Sequence, residues 1–203
     1  MASDSESLHG SAPDSAPVVL LLLDVINHFE HEDGEALLAS ASDAAPRIGA
    51  LIGTAREAGV PIVYANDNFG RWRSNQQSII EQAMSSPGRR VVEHVAPRDS
   101  DYFVLKPKHS GFFETSLSIL LDHLQAKTLV LAGFTTDICV LFTAMDAYLR
   151  GYRLVIPRDA VAAVRPEHTT VALEYAARVL DATTPPVAGF DFGDAALRGE
   201  ARS

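Results

Sequence analysis

Five short apolar runs without polar alternation constrain the fold of this chain more than any other feature. A strand with apolar side chains on both faces must be covered on both faces, which is typical of a parallel sheet between helices. The runs are Val18 to Asp24, Pro61 to Asp67, Tyr102 to Lys106, Thr128 to Gly133 and Tyr152 to Pro157. We therefore predict a buried parallel sheet.

The segments between these runs have helical periodicity. They predict helices over Asp43 to Ala58, Asn75 to Met84, Glu114 to Gln125, Asp137 to Arg150 and Pro166 to Ala182. Asp43 is a possible N-cap, Gly59 and Gly151 follow helices, and Pro166 begins one. The alternation predicts a Rossmann-like α/β fold with three layers, α-β-α, around an open, mostly parallel sheet of five or six strands. The sixth strand is placed near Val187 to Phe190.

The length of 203 residues fits one domain. We place it at residues 17–190. Residues 1–16 are rich in Ser, Ala, Pro and Asp and predict a disordered tail, and residues 191–203 are predicted to be a C-terminal tail. The stretch from Phe69 to Arg98 is the least regular part of the domain.

Charge and composition narrow the classes of partner. A formal charge of -9 disfavours binding to nucleic acid or to anionic membrane surfaces, because proteins that bind them need clustered Lys and Arg residues. No apolar run approaches the roughly 20 residues that span a bilayer, and the first residues lack the pattern of a secretion signal. With a single cysteine, the chain makes no internal disulfide. We expect a cytoplasmic protein that acts on a small molecule.

Three residues of chemical interest follow the ends of different predicted strands. Asp24 ends the first run, Lys106 ends the third, and Cys139 lies beyond the fourth. In open parallel sheets, ligands bind beyond the carboxyl ends of the strands, at the switch in strand order. A thiol, a carboxylate and an ammonium group could there act as nucleophile, base and cation. The start of a helix near Asp137, together with Lys106, is expected to lower the pKa of the thiol.

Each of the three residues also has a structural interpretation. An Asp after a strand commonly caps a turn, a single Cys is often a small buried apolar residue, and Lys usually lies on the surface. Lys is scarce here, however, because the 17 basic residues include only three lysines. A lysine at a strand end is therefore suggestive, since its pKa can be tuned and that of Arg cannot.

Three motifs resemble the isochorismatase-like cysteine hydrolase superfamily, which includes nicotinamidases, N-carbamoylsarcosine amidohydrolases, other amide and ureide hydrolases, and isochorismatases. They are "LLLDVINHFE" from Leu21, "VLKPKHSGFFETSL" from Val104 and "AGFTTDICVLFTAMDAYLRGY" from Ala132. The last is the most specific, with a Gly-x-x-Thr-x-x-Cys-Val pattern on a strand-to-helix turn. The resemblance covers about Val18 to Thr184 and implies an isochorismatase-like fold.

The resemblance implies a role for each residue of the trio. Asp24 would be the general base for Cys139, Lys106 would orient and polarise the pair, and Cys139 would form a covalent acyl intermediate. A cis peptide would join Phe134 and Thr135, and the amides of Thr135 and Cys139 would form the oxyanion hole. The similar proteins commonly form homo-oligomers, so a dimer or tetramer is expected. No cofactor is implied.

The sequence also departs from the family pattern. Ile26 stands where a Gln is frequent, and His28 stands where an acidic residue is frequent. The Asp-x-His metal motif of nicotinamidases has no counterpart, because "NDNFGRWRS" after the second strand contains no histidine. His28 and His31, with nearby acidic residues, could suggest another metal site, but a solvated loop is the simpler interpretation. We predict no metal.

Further residues near the trio are candidates for substrate contacts. Aromatic walls suit a small planar substrate, and Arg71 could bind a carboxylate. Core packing is the alternative role for each Phe. The candidates are Phe29, Asn66, Arg71, Trp72, Phe112 and Phe113.

Three functions compete. The first is hydrolysis of a C–N bond in a small amide or ureide, which the retained Cys139 favours. This function predicts that iodoacetamide labels Cys139 rapidly near neutral pH. The second is an isochorismatase-type vinyl ether hydrolase, in which Asp24 is an acid and Cys139 is incidental. The third is a non-catalytic binding or scaffold subunit, which would have no need of an intact trio.

Overall fold

A computed structural model describes residues 15–70 and 73–197. Within these ranges, six parallel strands form one sheet in the order β3-β2-β1-β4-β5, with β6 paired to β4. The strands are β1 (Val18–Leu23), β2 (Ile62–Asp67), β3 (Tyr102–Lys106), β4 (Thr128–Phe134), β5 (Arg153–Val155) and β6 (Val161–Ala162). The parallel sheet predicted from the apolar runs is confirmed.

Seven α-helices and one π-helical turn connect the strands in the described ranges. The helices are α1 (Gly34–Glu57), α2 (Gln76–Met84), α3 (Arg89–Val95), α4 (Leu117–His123), α5 (Leu141–Leu149), α6 (Pro166–Val179) and α7 (Phe192–Leu197), and the π turn is Thr136–Val140. Helix α3 lies within the stretch predicted to be least regular. Helix α1 begins before Asp43, which is therefore an interior residue and not an N-cap.

Two apolar clusters on opposite faces of the sheet give the fold its three layers. Leu20 and Leu22 of β1 pack into one cluster, which contains apolar side chains of α1 and α3. Leu21 and Leu23 point the other way, into a cluster with side chains of α4, α5 and α6. Successive side chains of a strand alternate between faces, so the four leucines supply both layers. The predicted three-layer fold is confirmed.

The sixth strand is not where the sequence analysis placed it. The observed β6 is Val161–Ala162, and Val187 to Phe190 forms a turn in which the Phe190 amide donates to the Val187 carbonyl. The two prolines before this turn lack amide protons and cannot extend a ladder. The prediction at Val187 to Phe190 was therefore wrong.

Residues just outside the predicted domain limits of 17 and 190 also pack against the domain. Ala16 is buried and donates its amide to the Leu124 carbonyl. Phe192 of α7, in the segment predicted to be a tail, is also buried and belongs to the core cluster on the α1 face. Residues 1–14 of the predicted N-terminal tail lie outside the described ranges. No helix within those ranges is long and apolar enough to cross a membrane.

Candidate active site

The site lies where the strand order switches. The chain runs from β1 outward to β2 and β3 and then returns to place β4 on the other side of β1. Loops after β1 and β4 therefore splay apart and leave a crevice. Gly133 permits the close approach of the two strand ends, because a Cβ atom there would lie 2.1 Å from the Leu23 carbonyl oxygen. Asp24 and Cys139 flank this crevice.

The side chain of Lys106 crosses β2 to reach Asp24. Neighbouring strands lie about 4.8 Å apart, so β3 and β1 are separated by about 10 Å, and a four-carbon stem covers most of that distance. The Lys106 Nζ atom lies 2.8 Å from Asp24 Oδ2 and donates to the Lys108 carbonyl at 3.1 Å. Lys106 is fully buried. The ammonium group is therefore an interior cation paired with a carboxylate.

The thiol of Cys139 completes the cluster from the other side of β1. Its Sγ atom accepts from Lys106 Nζ at 3.6 Å, and the Asp24 carboxylate is close enough to raise the pKa of the thiol. The structure thus brings together the three residues that the sequence analysis singled out.

The backbone before the thiol has an unusual geometry. The Thr135 carbonyl accepts the amides of Ile138 and Val140, at 3.3 and 3.1 Å. These bonds bypass the amide of Cys139, and the bond from the Val140 amide, which spans five residues, gives the π turn that α5 continues. Short π segments within helices are frequent at functional sites.

The ionisation of the cluster differs from the expectation. Burial raises the pKa of the Asp24 carboxyl, and Lys106 only partly offsets this. Burial alone would lower the pKa of Lys106, but the Asp24 carboxylate reverses the balance and the pKa is raised. Burial, followed by the Asp24 carboxylate, raises the pKa of the Cys139 thiol.

The expectation of a lowered thiol pKa was therefore wrong. Desolvation and the adjacent anion outweigh Lys106 and the helical turn. The short contact between Asp24 and Lys106 has the geometry of a carboxylate–ammonium pair, and the raised pKa of the thiol opposes its ionisation beside that pair. The prediction of rapid labelling near neutral pH depended on a lowered thiol pKa, so the structure does not support it.

The peptide bond between Phe134 and Thr135 is cis, at the position that the family resemblance implies. Thr135 follows β4 and lines the cleft described below. Among the described residues, its hydroxyl oxygen is buried without a hydrogen-bond partner. Thr135 thus brings an unused hydroxyl group to the site.

A cleft of about 510 Å³ opens above the trio. Volumes of this size suit small-molecule ligands. Its wall combines apolar and polar side chains, and Asp24 and Cys139 are part of it. The other described lining residues are Asn27, His31, Leu37, Asp67, Phe69, Gly70, Pro107, Lys108, His109, Phe134, Thr135 and Ile138.

Four of the predicted substrate contacts lie elsewhere. Phe29 and Phe112 are buried in the two apolar clusters, and Phe113 is half-exposed outside the cleft lining. Asn66 is fully buried, and its side-chain amide is hydrogen-bonded to the backbone of Ile26. The Asn66 Oδ1 atom accepts the Ile26 amide at 3.0 Å, and Nδ2 donates to the Ile26 carbonyl at 2.9 Å. Arg71 and Trp72 lie outside the described residues.

Asp67 is a cleft residue that the sequence analysis missed. Its amide donates to Asp24 Oδ1 at 2.7 Å, and its Oδ2 atom lies 4.0 Å from Lys106 Nζ. It ends β2 as Asp24 ends β1, so the rule of inspecting the last residue of each run could have found it. Asn27, Phe69 and His109 line the cleft from loops, where the sequence gives no periodic signal for side-chain direction.

One histidine near the site has an acidic neighbour, since His28 Nδ1 lies 3.9 Å from Glu30 Oε2. His31 lines the cleft, and its Nδ1 atom lies 2.7 Å from the Glu32 carbonyl oxygen. His28 packs against the ring of Phe69. Over residues 15–70 and 73–197, no group of three or more His, Cys, Asp or Glu side chains could hold a metal ion.

Comparisons with known proteins identify relatives over most of the chain. A family model for the isochorismatase domain matches residues 18–185. The isochorismatase family protein YaaI of Bacillus subtilis is 40% identical over 81% of this chain and 91% of its own length.

Solved structures share the fold. The N-carbamoylsarcosine amidase of Thermoplasma acidophilum is 32% identical, with a TM-score of 0.66 over 84% of this chain and 96% of that one. The nicotinamidase PncA of Bacillus subtilis is 27% identical, with a TM-score of 0.64 over 83% and 98%.

Proposed function

This chain belongs to the isochorismatase family, and from that premise we propose that it is a cysteine hydrolase that cleaves a C–N bond of a small amide or ureide. The observation that carries the proposal is that the Cys139 thiol and the Asp24 carboxylate line one cleft and both lie close to the buried ammonium group of Lys106. Such a cluster supplies a nucleophile, a base and a fixed cation.

The first step is acylation of Cys139. Asp24 takes the thiol proton as Sγ attacks the carbonyl carbon, and the C–N bond breaks after the tetrahedral intermediate forms. Asp24 then returns that proton to the departing nitrogen. In the second step, Asp24 removes a proton from water, whose oxygen attacks the thioester, and the acid product leaves as Sγ regains a proton. One water molecule is consumed and no redox partner is needed.

The raised pKa values suit this sequence of proton transfers. A carboxyl group whose pKa lies above its ordinary range accepts a thiol proton more readily and still returns it to an amine. Lys106 keeps Asp24 ionised before the attack and stabilises the thiolate as it forms, 3.6 Å away. The thiol is therefore activated during the reaction rather than in the resting enzyme.

The oxyanion that forms during attack requires nearby donors. We assign this role to the amides of Thr135 and Cys139, because the Thr135 carbonyl accepts the amides on either side of Cys139 and not the Cys139 amide itself. Preorganised amides of this kind are worth several kcal/mol at the transition state, about 2.7–4 for one donor.

The substrate class rests on the cleft and on the relatives. The cleft of about 510 Å³ suits a small molecule. Two proteins with this fold are named for the amides they hydrolyse, an N-carbamoylsarcosine amidase and a nicotinamidase. A thiol nucleophile suits acyl transfer from a C–N bond, since it forms a thioester that water can hydrolyse.

A direct test is to capture the acyl enzyme. Incubation of the protein with a panel of small amides and ureides, followed by rapid acid quench and mass spectrometry, is expected to show release of ammonia or amine and an acyl adduct on the peptide that contains Cys139. The mass of the adduct would report the acyl group. Turnover with the adduct on another residue, or on none, would contradict the covalent mechanism.

The raised pKa of Asp24 also supports a second candidate, an isochorismatase-type vinyl ether hydrolase. A carboxyl group that holds its proton above its ordinary range can act as an acid toward such a substrate. This reaction has no need of the thiol. Isochorismate turnover that survives Cys139→Ala would favour it over C–N hydrolysis.

The variant Asp24→Asn tests two roles of Asp24, as the general base and as the negative charge that raises the pKa of the thiol. We expect kcat to fall about 10²- to 10⁴-fold, the usual contribution of a general base. The pKa of Cys139 is expected to fall, because the carboxylate that opposes its ionisation is gone while Lys106 remains. Iodoacetamide labelling measured against pH would show its midpoint at lower pH in the variant. Retained turnover, or a midpoint that rises, would contradict this assignment.

A further inference from the structure

Three polar residues share one face of the segment that carries the nucleophile. Cys139, Thr143 and Asp146 are spaced four and three residues apart, so they lie one above another on adjacent helical turns. Apart from these, the buried residues of this segment are mostly small or apolar, with Val140, Ala144 and Ala147 in the core. The hydroxyl group of Thr143 and the carboxylate of Asp146 on this face therefore call for a specific explanation.

Thr143 joins the nucleophile to the loop that follows Lys106. It is fully buried. Its hydroxyl donates to the Cys139 carbonyl at 2.6 Å and accepts the Gly111 amide at 3.0 Å. A hydroxyl group has one proton, so donating to Cys139 leaves its lone pairs free to accept from Gly111. The two bonds are thus mutually compatible and tie two segments that are distant in sequence.

A second tie lies one turn further along α5. The Ser110 hydroxyl donates to Asp146, and the same Ser110 oxygen accepts the Phe112 amide at 3.2 Å. The loop held in this way also contains the Lys108 carbonyl, which accepts a hydrogen bond from Lys106 Nζ. One end of the loop therefore fixes the ammonium group, and the other end is fastened to the helix of the thiol.

We propose that Thr143 is a positioning residue of the hydrolase, which holds the Cys139 turn and the Lys106 loop at the separation that keeps the thiol beside the ammonium group, with Asp146 and Ser110 as a supporting tie. The proposal rests on the proposed function for its catalytic meaning. Thr143 lies outside the described lining of the cleft, so it acts through Cys139 and Lys106 and not on the substrate.

The matched pair of variants is Thr143→Val and Thr143→Ser. Valine keeps the branched shape of Thr and removes both hydrogen bonds, whereas serine keeps the hydroxyl and removes a methyl group. A displacement of about 1 Å at a reacting group can cost about a hundredfold in rate. We expect Thr143→Val to lose kcat by about that factor with little change in KM, and Thr143→Ser to remain within about threefold of wild type.

A second measurement does not depend on any substrate. As Lys106 moves away from Sγ, the thiolate loses its nearest cation and the pKa of Cys139 rises. Iodoacetamide labelling, followed as pH is raised to the alkaline limit at which the protein stays folded, is expected to increase at higher pH for Thr143→Val than for wild type and at the wild-type pH for Thr143→Ser. The Tm of each variant shows whether it is folded under these conditions.

The outcomes distinguish the two proposals. Wild-type protein that hydrolyses no amide in the panel would refute the proposed function, while the labelling midpoints would still test the position of the thiol. Wild-type kcat and midpoint in a folded Thr143→Val variant would overturn the positioning role. A loss in Thr143→Ser as large as that in Thr143→Val would also overturn it, because serine keeps the hydroxyl group and the effect would then not follow the two hydrogen bonds. If Thr143→Val fails to fold, Thr143→Ala replaces it, since it differs from Thr143→Ser only by the hydroxyl group, and an unchanged kcat and midpoint there overturn the proposal.

Discussion

Replacing Cys139 with alanine is expected to lower kcat for amide substrates by at least about four orders of magnitude, the usual cost of losing a nucleophile. Without Sγ the chain has no group at this position that can form an acyl intermediate. Steady-state kinetics with a substrate identified from the panel would measure the loss. Because Cys139 is the only cysteine, thiol labelling of the variant should also fall to zero.

The fold is expected to survive this substitution. Cys139 is partly exposed at the cleft rather than buried in the core, and the change to alanine removes only the sulfur atom among the heavy atoms. Thermal unfolding should therefore give a Tm close to that of wild type. Substantial amide hydrolysis by Cys139→Ala would contradict nucleophilic catalysis, and a large drop in Tm would mean that lost activity reports unfolding instead.

Replacing Lys106 with methionine is expected to remove both activity and stability. Methionine fills most of the volume of the lysine stem but carries no charge, so Asp24 is left buried without its cation. Breaking a buried ion pair by removing one partner costs about 3–5 kcal/mol of the free energy of unfolding. Equilibrium urea unfolding near neutral pH would measure this loss.

The control for this variant is the double substitution Asp24→Asn with Lys106→Met. It removes both charges, so no buried carboxylate is left unpaired, and it is expected to recover much of the lost stability although it has no activity. The double-mutant cycle gives the coupling between the two side chains. Additive losses would show that the pair contributes no mutual stabilisation.

The stability of Lys106→Met should depend on pH in a defined direction. Burial already raises the pKa of Asp24 above 3.8 in the folded state, and Lys106 opposes that rise. Without Lys106 the folded-state pKa rises further. The folded variant therefore takes up a proton at a pH where the unfolded chain does not. Its deficit relative to wild type is expected to be smallest below the unfolded pKa and to grow as pH rises through the folded pKa.

The apolar runs of the sequence were sufficient to predict the parallel sheet, because continuous runs such as Val18 to Leu23 leave no polar face for solvent. The limits of helix α1 were less predictable, since Asp43 resembles a cap and the true start at Gly34 follows a loop. The position of β6 depended on pairing with the end of β4, Gly133 with Val161. Pairing between distant segments leaves no periodic signal in either one.

The candidate trio was found from the sequence because parallel strands end at the same edge of a sheet. Four side chains predicted to contact the substrate do not line the cleft. Asn66 has the polarity of a ligand residue, but its amide is occupied by the backbone of Ile26. Phe29 and Phe112 are aromatic, as expected, yet they point into the core. The residue type is written in the sequence, whereas the direction of a loop side chain is set by its neighbours.

The sequence by itself determined the order of strands and helices in the chain and the residues that end those strands, since hydrophobic periodicity and chain order are local properties. Only the tertiary structure decided that Lys106 reaches across β2 to Asp24, that burial raises the pKa of the Cys139 thiol, and that Thr143 joins two distant segments. The physical reason is that burial and electrostatic fields come from the whole set of surrounding atoms, most of them far away along the chain.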